Sequence, residues 1–181
     1  MLTRYRLISL ILAATLLALV GCSGSAIAGP KEVSVIEEAT LVRQLQYVDG
    51  QTEGPMYNLS VTVPEEWVGQ FETNIRGNRM TFEFIVEHDD DEDVEADLEN
   101  EEDTRIRASV FFVEALSSGQ YWEQVGSYPG DYYNLKFTAD TYFIYHLPID
   151  SYYSGLSDEE YAAFAAEIPG IAQSFIVERA G

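Results

Sequence analysis

The chain has 181 residues and a formal net charge of −21, from 10 Lys and Arg against 31 Asp and Glu. So acidic a surface repels phosphate backbones and anionic headgroups, which excludes nucleic acid as a partner and any membrane attachment through a basic patch. Its length allows one domain with a sizeable core, and its single cysteine rules out an internal disulfide, so burial alone must stabilise it.

Residues 1–22 open with Arg4 and Arg6, run through an apolar stretch from Leu7 to Val20, and end on Gly21 and the sole cysteine, Cys22. A basic start, an apolar run of about 7–15 residues and a small-residue end make an export signal. The run is shorter than the roughly 17–25 residues that an untilted spanning helix needs, and Ser23, Gly24 and Ser25 are too small and polar to extend it. Leu19-Val20-Gly21-Cys22 resembles the lipobox of bacterial lipoproteins. That resemblance implies a lipoprotein signal peptide over 1–21, cleavage before Cys22, and diacylglycerol on the Cys22 sulfur. Two acyl chains give stable anchoring where one does not, at about 0.8 kcal/mol per buried methylene. It further implies an extracytoplasmic protein lipid-anchored to the cell membrane. Ser23 is similar to the sorting pattern that permits transfer to an outer membrane in a cell that has one. The plainer alternative is a secreted protein whose cysteine happens to lie near the cleavage site.

Residues 22–32 are small, Gly-containing and interrupted by Pro30, and read as a flexible tether. Residues 33–181 read as one domain. A strand is expected at 41–47, then a turn at Asp49-Gly50. At 57–63 Leu59, Val61 and Val63 alternate with Ser60 and Thr62, the pattern of a half-buried strand, which Pro64 closes. A second strand is expected at 67–75, a turn at Arg76-Gly77-Asn78, and a third strand at 80–86 with Met80, Phe82 and Phe84 on one face. After the acidic run 87–103, residues 107–115 are apolar on both faces, which places that strand inside the sheet. A short helix is expected at 119–126 with Tyr121, Trp122 and Val125 on one side. A hairpin follows, 132–137 with 142–147. Ser157-Asp-Glu-Glu160 is a capping box, Ser at the N-cap with Glu three residues on. It opens a helical stripe of Tyr161, Phe164, Ile168, Ile171 and Phe175, in which Pro169-Gly170 should kink or break the helix. The chain has no internal repeats. The expected class is α+β, a mostly antiparallel sheet of five to seven strands packed by a C-terminal helix and a shorter helix.

Tyr57-Asn-Leu-Ser-Val-Thr-Val-Pro-Glu-Glu-Trp67 resembles the strand, Pro, two residues, Trp opening of PsbP/Mog1-like domains. Ile171-Ala-Gln-Ser-Phe-Ile-Val177 is similar to their closing helix-to-strand segment. The likeness implies an assembly or interaction module with no shared catalytic set. The acidic insertion and the tyrosine-rich hairpin depart from that pattern.

Between Glu87 and Asp103 lie twelve acids and no base. Carboxylates at alternate positions suit Ca²⁺, which takes oxygen ligands, and the candidates are Asp89, Asp91, Asp93, Glu95, Asp97, Glu99 and Glu102. An EF-hand register starting at Asp91 fails, because Ala96 stands where the sharp turn needs Gly and Glu95 is too long for its position. Weak calcium binding is therefore one reading. A solvated loop that repels neighbours and suppresses edge pairing is the simpler one. His88 and His146 are the only histidines, with no paired spacing for zinc. No nucleophile elbow, SxxK or Gly-rich phosphate loop occurs.

Nine tyrosines fall between Tyr121 and Tyr161, with Trp122 among them. Tyrosine suits contact surfaces, having a rigid apolar body and a polar tip. Tyr133, Tyr142 and Tyr145 are expected to fill sheet faces. Tyr152 and Tyr153, in a loop, are the candidate surface for an envelope protein or glycan. The expectation is a lipid-anchored, non-catalytic binding or assembly module needing no cofactor beyond its acyl chains. A divalent-cation binder using 87–103 and an enzyme without a recognisable motif are the alternatives.

Overall fold

The computed structural model describes residues 31–86, 106–127, 131–148 and 156–181, apart from the side chain of Val125. β1 (Glu32–Val35) begins on the last residue expected in the tether, and β2 (Thr40–Leu45) buries Leu41 and Leu45. β3 (Val48–Asp49) and β4 (Thr52–Glu53) form a minimal hairpin around Gly50, whose φ of 62° suits glycine. β5 (Tyr57–Thr62) realises the alternation, with Tyr57, Leu59 and Val61 buried. Pro64 then starts a 3-10 turn over Glu65–Trp67, so the strand expected at 67–75 begins only at Phe71. Its fixed φ suits a helical start, and Gly69 at φ 79° turns the chain into β6 (Phe71–Arg76).

A tight turn at Gly77 leads to β7 (Arg79–Val86), and β8 (Ile106–Leu116) is the longest strand. α1 (Ser118–Ser127), β9 (Tyr132–Phe137) and β10 (Tyr142–His146) follow. α2 (Asp158–Gln173) has the expected capping box: the Glu160 amide donates to the Ser157 hydroxyl, and the Glu160 carboxylate accepts from the Ser157 amide. The helix continues through Pro169-Gly170 instead of breaking there. β11 (Ile176–Arg179) ends the fold. Among the described residues no helix is long and apolar enough to cross a membrane.

The strands are antiparallel throughout and divide among three sheets, with orders β1-β6-β7-β8-β10-β9, β11-β5-β2 and β3-β4. This is an α+β arrangement dominated by antiparallel sheet. β8 lies inside the large sheet, as its two-sided apolar pattern requires. One face of that sheet packs against the three-stranded sheet and α2. Trp67 stacks on Phe71 at 3.9 Å, with Phe164 from α2 edge-on to both. The Trp67 indole donates to Glu167 Oε2 at 2.7 Å, so the 3-10 turn is pinned to α2. The opposite face carries polar and charged residues toward β6 and rings toward β9, the latter beneath α1.

Candidate functional site

The residues singled out for chemistry in the sequence fall largely outside the described part. Cys22, His88, the acidic positions Asp89, Asp91, Asp93, Glu95, Asp97, Glu99 and Glu102, and the pair Tyr152 and Tyr153 all lie there. Among the described residues no three of His, Cys, Asp or Glu gather as metal ligands. What the structure does assemble, on the face of the large sheet away from the main core, is a charged cluster and a ring cluster.

The charged cluster comes from cross-strand pairing. Glu114 on β8 stands opposite Arg79 on β7 and beside Ile144 on β10, with His146 two residues along β10 on the same face. Arg79 Nε donates to Glu114 Oε1 at 2.7 Å, and His146 Nε2 lies 3.4 Å from Glu114 Oε2. His146 is only 2% exposed and stacks on Phe112, over whose ring Arg79 also sits at 5.0 Å. Burial alone would raise the Glu114 carboxyl, but the His146 contact and the Arg79 guanidinium outweigh it and hold it below its ordinary value. Both carboxylate oxygens thus face a cationic or imidazole partner, an arrangement that neutralises a buried charge and locks three strands together.

A groove of about 280 Å³ opens beside Glu114, between the sheet and one flank of α1. Asn78, Leu116, Gln120, Glu123, Gln124 and Ser127 complete its lining. Gln120 is occupied there: its amide donates to the Val48 carbonyl at 2.7 Å and accepts from the Ser117 amide at 3.0 Å. Farther along the same face, Arg107 pairs with the fully buried Glu72, and Asn74 donates to Glu83 at 3.3 Å. Burial raises the Glu83 carboxyl, the neighbouring Glu72 adds to the rise, and the Asn74 hydrogen bond with the charges of Lys31 and Arg107 opposes it.

The ring cluster lies on the other flank of α1. Tyr121 is buried, stacks on Tyr142 at 4.5 Å, and donates from its hydroxyl to Asn134 Oδ1 at 3.3 Å. Trp122 meets Tyr121 edge-on at 5.3 Å, yet it is 64% exposed, so it does not share the buried side of the helix as its spacing suggests. Phe137 on β9 is 49% exposed and meets Tyr121 edge-on at 5.6 Å. Tyr132 is half-buried at the same cluster. On the other face of the hairpin Tyr133 stacks on Tyr145 at 4.9 Å. Tyr142 and Tyr145 do fill sheet faces, but Tyr133, at the sheet's edge, stays 45% exposed. Sequence reasoning looked for the aromatic surface at Tyr152 and Tyr153 and missed Trp122 and Phe137. The signal was a tryptophan next to the buried Tyr121 on a short helix and a phenylalanine at the end of β9. No family model, curated protein or solved structure matches the chain.

Proposed function

We propose that this chain is a lipid-anchored cell-envelope protein whose α+β domain is a non-catalytic binding module, with the rings at Trp122 and Phe137 as its contact surface. The anchor rests on the lipobox-like Leu19-Val20-Gly21-Cys22. The contact surface rests on one observation, the exposure of Trp122 and Phe137 on either side of a buried Tyr121. Large rings held facing water add nothing to the core. Such rings are the side chains that dominate recognition surfaces, because they give large contact area at little rotamer cost. The neighbouring Arg79, Glu114 and His146 cluster supports binding rather than catalysis, since its carboxylate is committed to internal partners. The PsbP/Mog1-like pattern at 57–67 and 171–177 points the same way, toward an interaction module.

The anchor is tested by mass spectrometry of protein extracted from native membranes. The expected amino terminus is Cys22 carrying diacylglycerol, and Cys22→Ala should abolish that added mass. An unmodified Cys22 thiol or an intact Met1 in the wild type removes the anchor from the reading.

A further inference from the structure

We infer that the ring cluster at Trp122 and Phe137 takes a neutral glycan chain, an inference that rests on the binding-module reading and names its ligand class. A pyranose ring presents C–H groups on one face and hydroxyls around its rim. The C–H face, slightly positive, settles on the negative face of an aromatic ring. Trp122 and Phe137 supply two solvent-facing rings, and both are braced against the same buried Tyr121, which is itself stacked on Tyr142. That bracing fixes the platform before any ligand arrives and limits the ordering cost of binding.

The polar groups match. The Tyr121 hydroxyl donates to Asn134 Oδ1 and so orients that exposed amide beside the rings, leaving its NH₂ as the donor for a sugar hydroxyl. Charge narrows the class further. The whole chain carries −21, and the exposed acids Glu123 and Asp131 stand next in sequence to Trp122 and Tyr132. A polyanionic glycan would be repelled, whereas a neutral one meets no such barrier. Addition of an extended peptide to the sheet is disfavoured by the edge itself. β9 carries a register shift between its pairings of Lys136 and Asn134 that leaves Leu135 without a partner across the strand, and Lys136 beside it is exposed. Bulges and edge lysines are the devices by which sheets resist further strands.

The test titrates the full chain in detergent micelles with cellohexaose, with chitohexaose and with polygalacturonate as the anionic control, followed by calorimetry and tryptophan fluorescence. Trp67 is fully buried, so a spectral change reports Trp122. The expected result is saturable uptake of at least one neutral hexaose and none of polygalacturonate. Trp122→Ala should weaken that uptake by about tenfold or more, with Trp122→Phe retaining most of it. The melting temperature of Trp122→Ala should match wild type, which separates lost binding from lost fold. Absence of saturable uptake of either hexaose, or uptake that survives Trp122→Ala unchanged, overturns the inference. A crosslink to an envelope protein that depends on Trp122, with no uptake of glycan, overturns it while leaving the binding-module reading standing. With neither glycan uptake nor a Trp122-dependent crosslink, both are overturned.

Discussion

Glu83 on β7 stands directly opposite Glu72 on β6, two acids paired across strands on a half-buried face. Like charges in that position are destabilising; Arg107 pairs with Glu72, and its charge only partly offsets the cost at Glu83. Burial and Glu72 therefore raise the Glu83 carboxyl above its unfolded value of about 4.3. A raised folded value contributes stability that is full below the unfolded value and is lost as pH rises through the folded one. At neutral pH the ionised Glu83 is thus a liability. Glu83→Gln is expected to raise the melting temperature at pH 7, and the advantage should shrink as pH falls through the raised folded value and be gone below about 4. Glutamine also offers a donor to Asn74 Oδ1, a buried acceptor without a hydrogen-bond partner among the described residues. Melting curves across that pH range check it; a variant that melts lower than wild type at pH 7 would refute the account. None of this is legible in the sequence, because it arises from register between strands rather than from either residue's own neighbours. The same holds for Arg79, Glu114 and His146, which lie on three separate strands.

Among the elements, α2 shows how local signals and tertiary packing divide the work. Its start is written in the capping box, and its buried stripe of Ile168 and Ile171 follows the helical period. Its passage through Pro169-Gly170 runs against local preference and depends on packing, with Phe164 seated against Trp67 and Phe71 in the turn before. Gly170 is exposed, lies in ordinary helical backbone, and an added Cβ would meet nothing. Gly170→Ala should therefore stabilise by roughly 0.5–1 kcal/mol, measured by denaturant unfolding, through the reduced freedom of the unfolded chain. The strands β5, β7 and β8 and the hairpin β9–β10 are legible for the same reason as the cap: alternation, turn glycines and Pro64 are short-range signals. Trp67 in a 3-10 turn, and β11 after α2, are not legible from period alone. Both are decided by what they touch, Glu167 in one case and β5 in the other. The expectation that Tyr121 and Trp122 share one side of α1 fails for Trp122. Consecutive residues lie about 100° apart on a helix, and the small cluster of Leu116 and Ile144 beneath admits only Tyr121.

At the scale of the whole molecule, the order of the large sheet separates its two ends. β1, which the tether would enter, and β9, which carries Phe137, are opposite edges of six strands. At about 4.8 Å per strand, roughly 24 Å of sheet stands between attachment and the rings. The small sheet depends on the end of the chain. β11 pairs with β5 from Ile176 opposite Ser60 to Arg179 opposite Tyr57, and the Ala180 amide donates to the Met56 carbonyl. Removing residues 176–181 strips one flank from β5 and uncovers Val177's share of the core. The loss should be on the order of 3 kcal/mol from the backbone hydrogen bonds alone, read as a lower melting temperature and a broadened transition in near-ultraviolet circular dichroism.

That final pairing also sets the timing of folding. Synthesis from the amino terminus delivers β5 long before β11. The three-stranded sheet therefore keeps one flank of β5 open until β11 has emerged. The pairing is a late latch, and whatever ordering β5 achieves earlier it achieves with β2 alone.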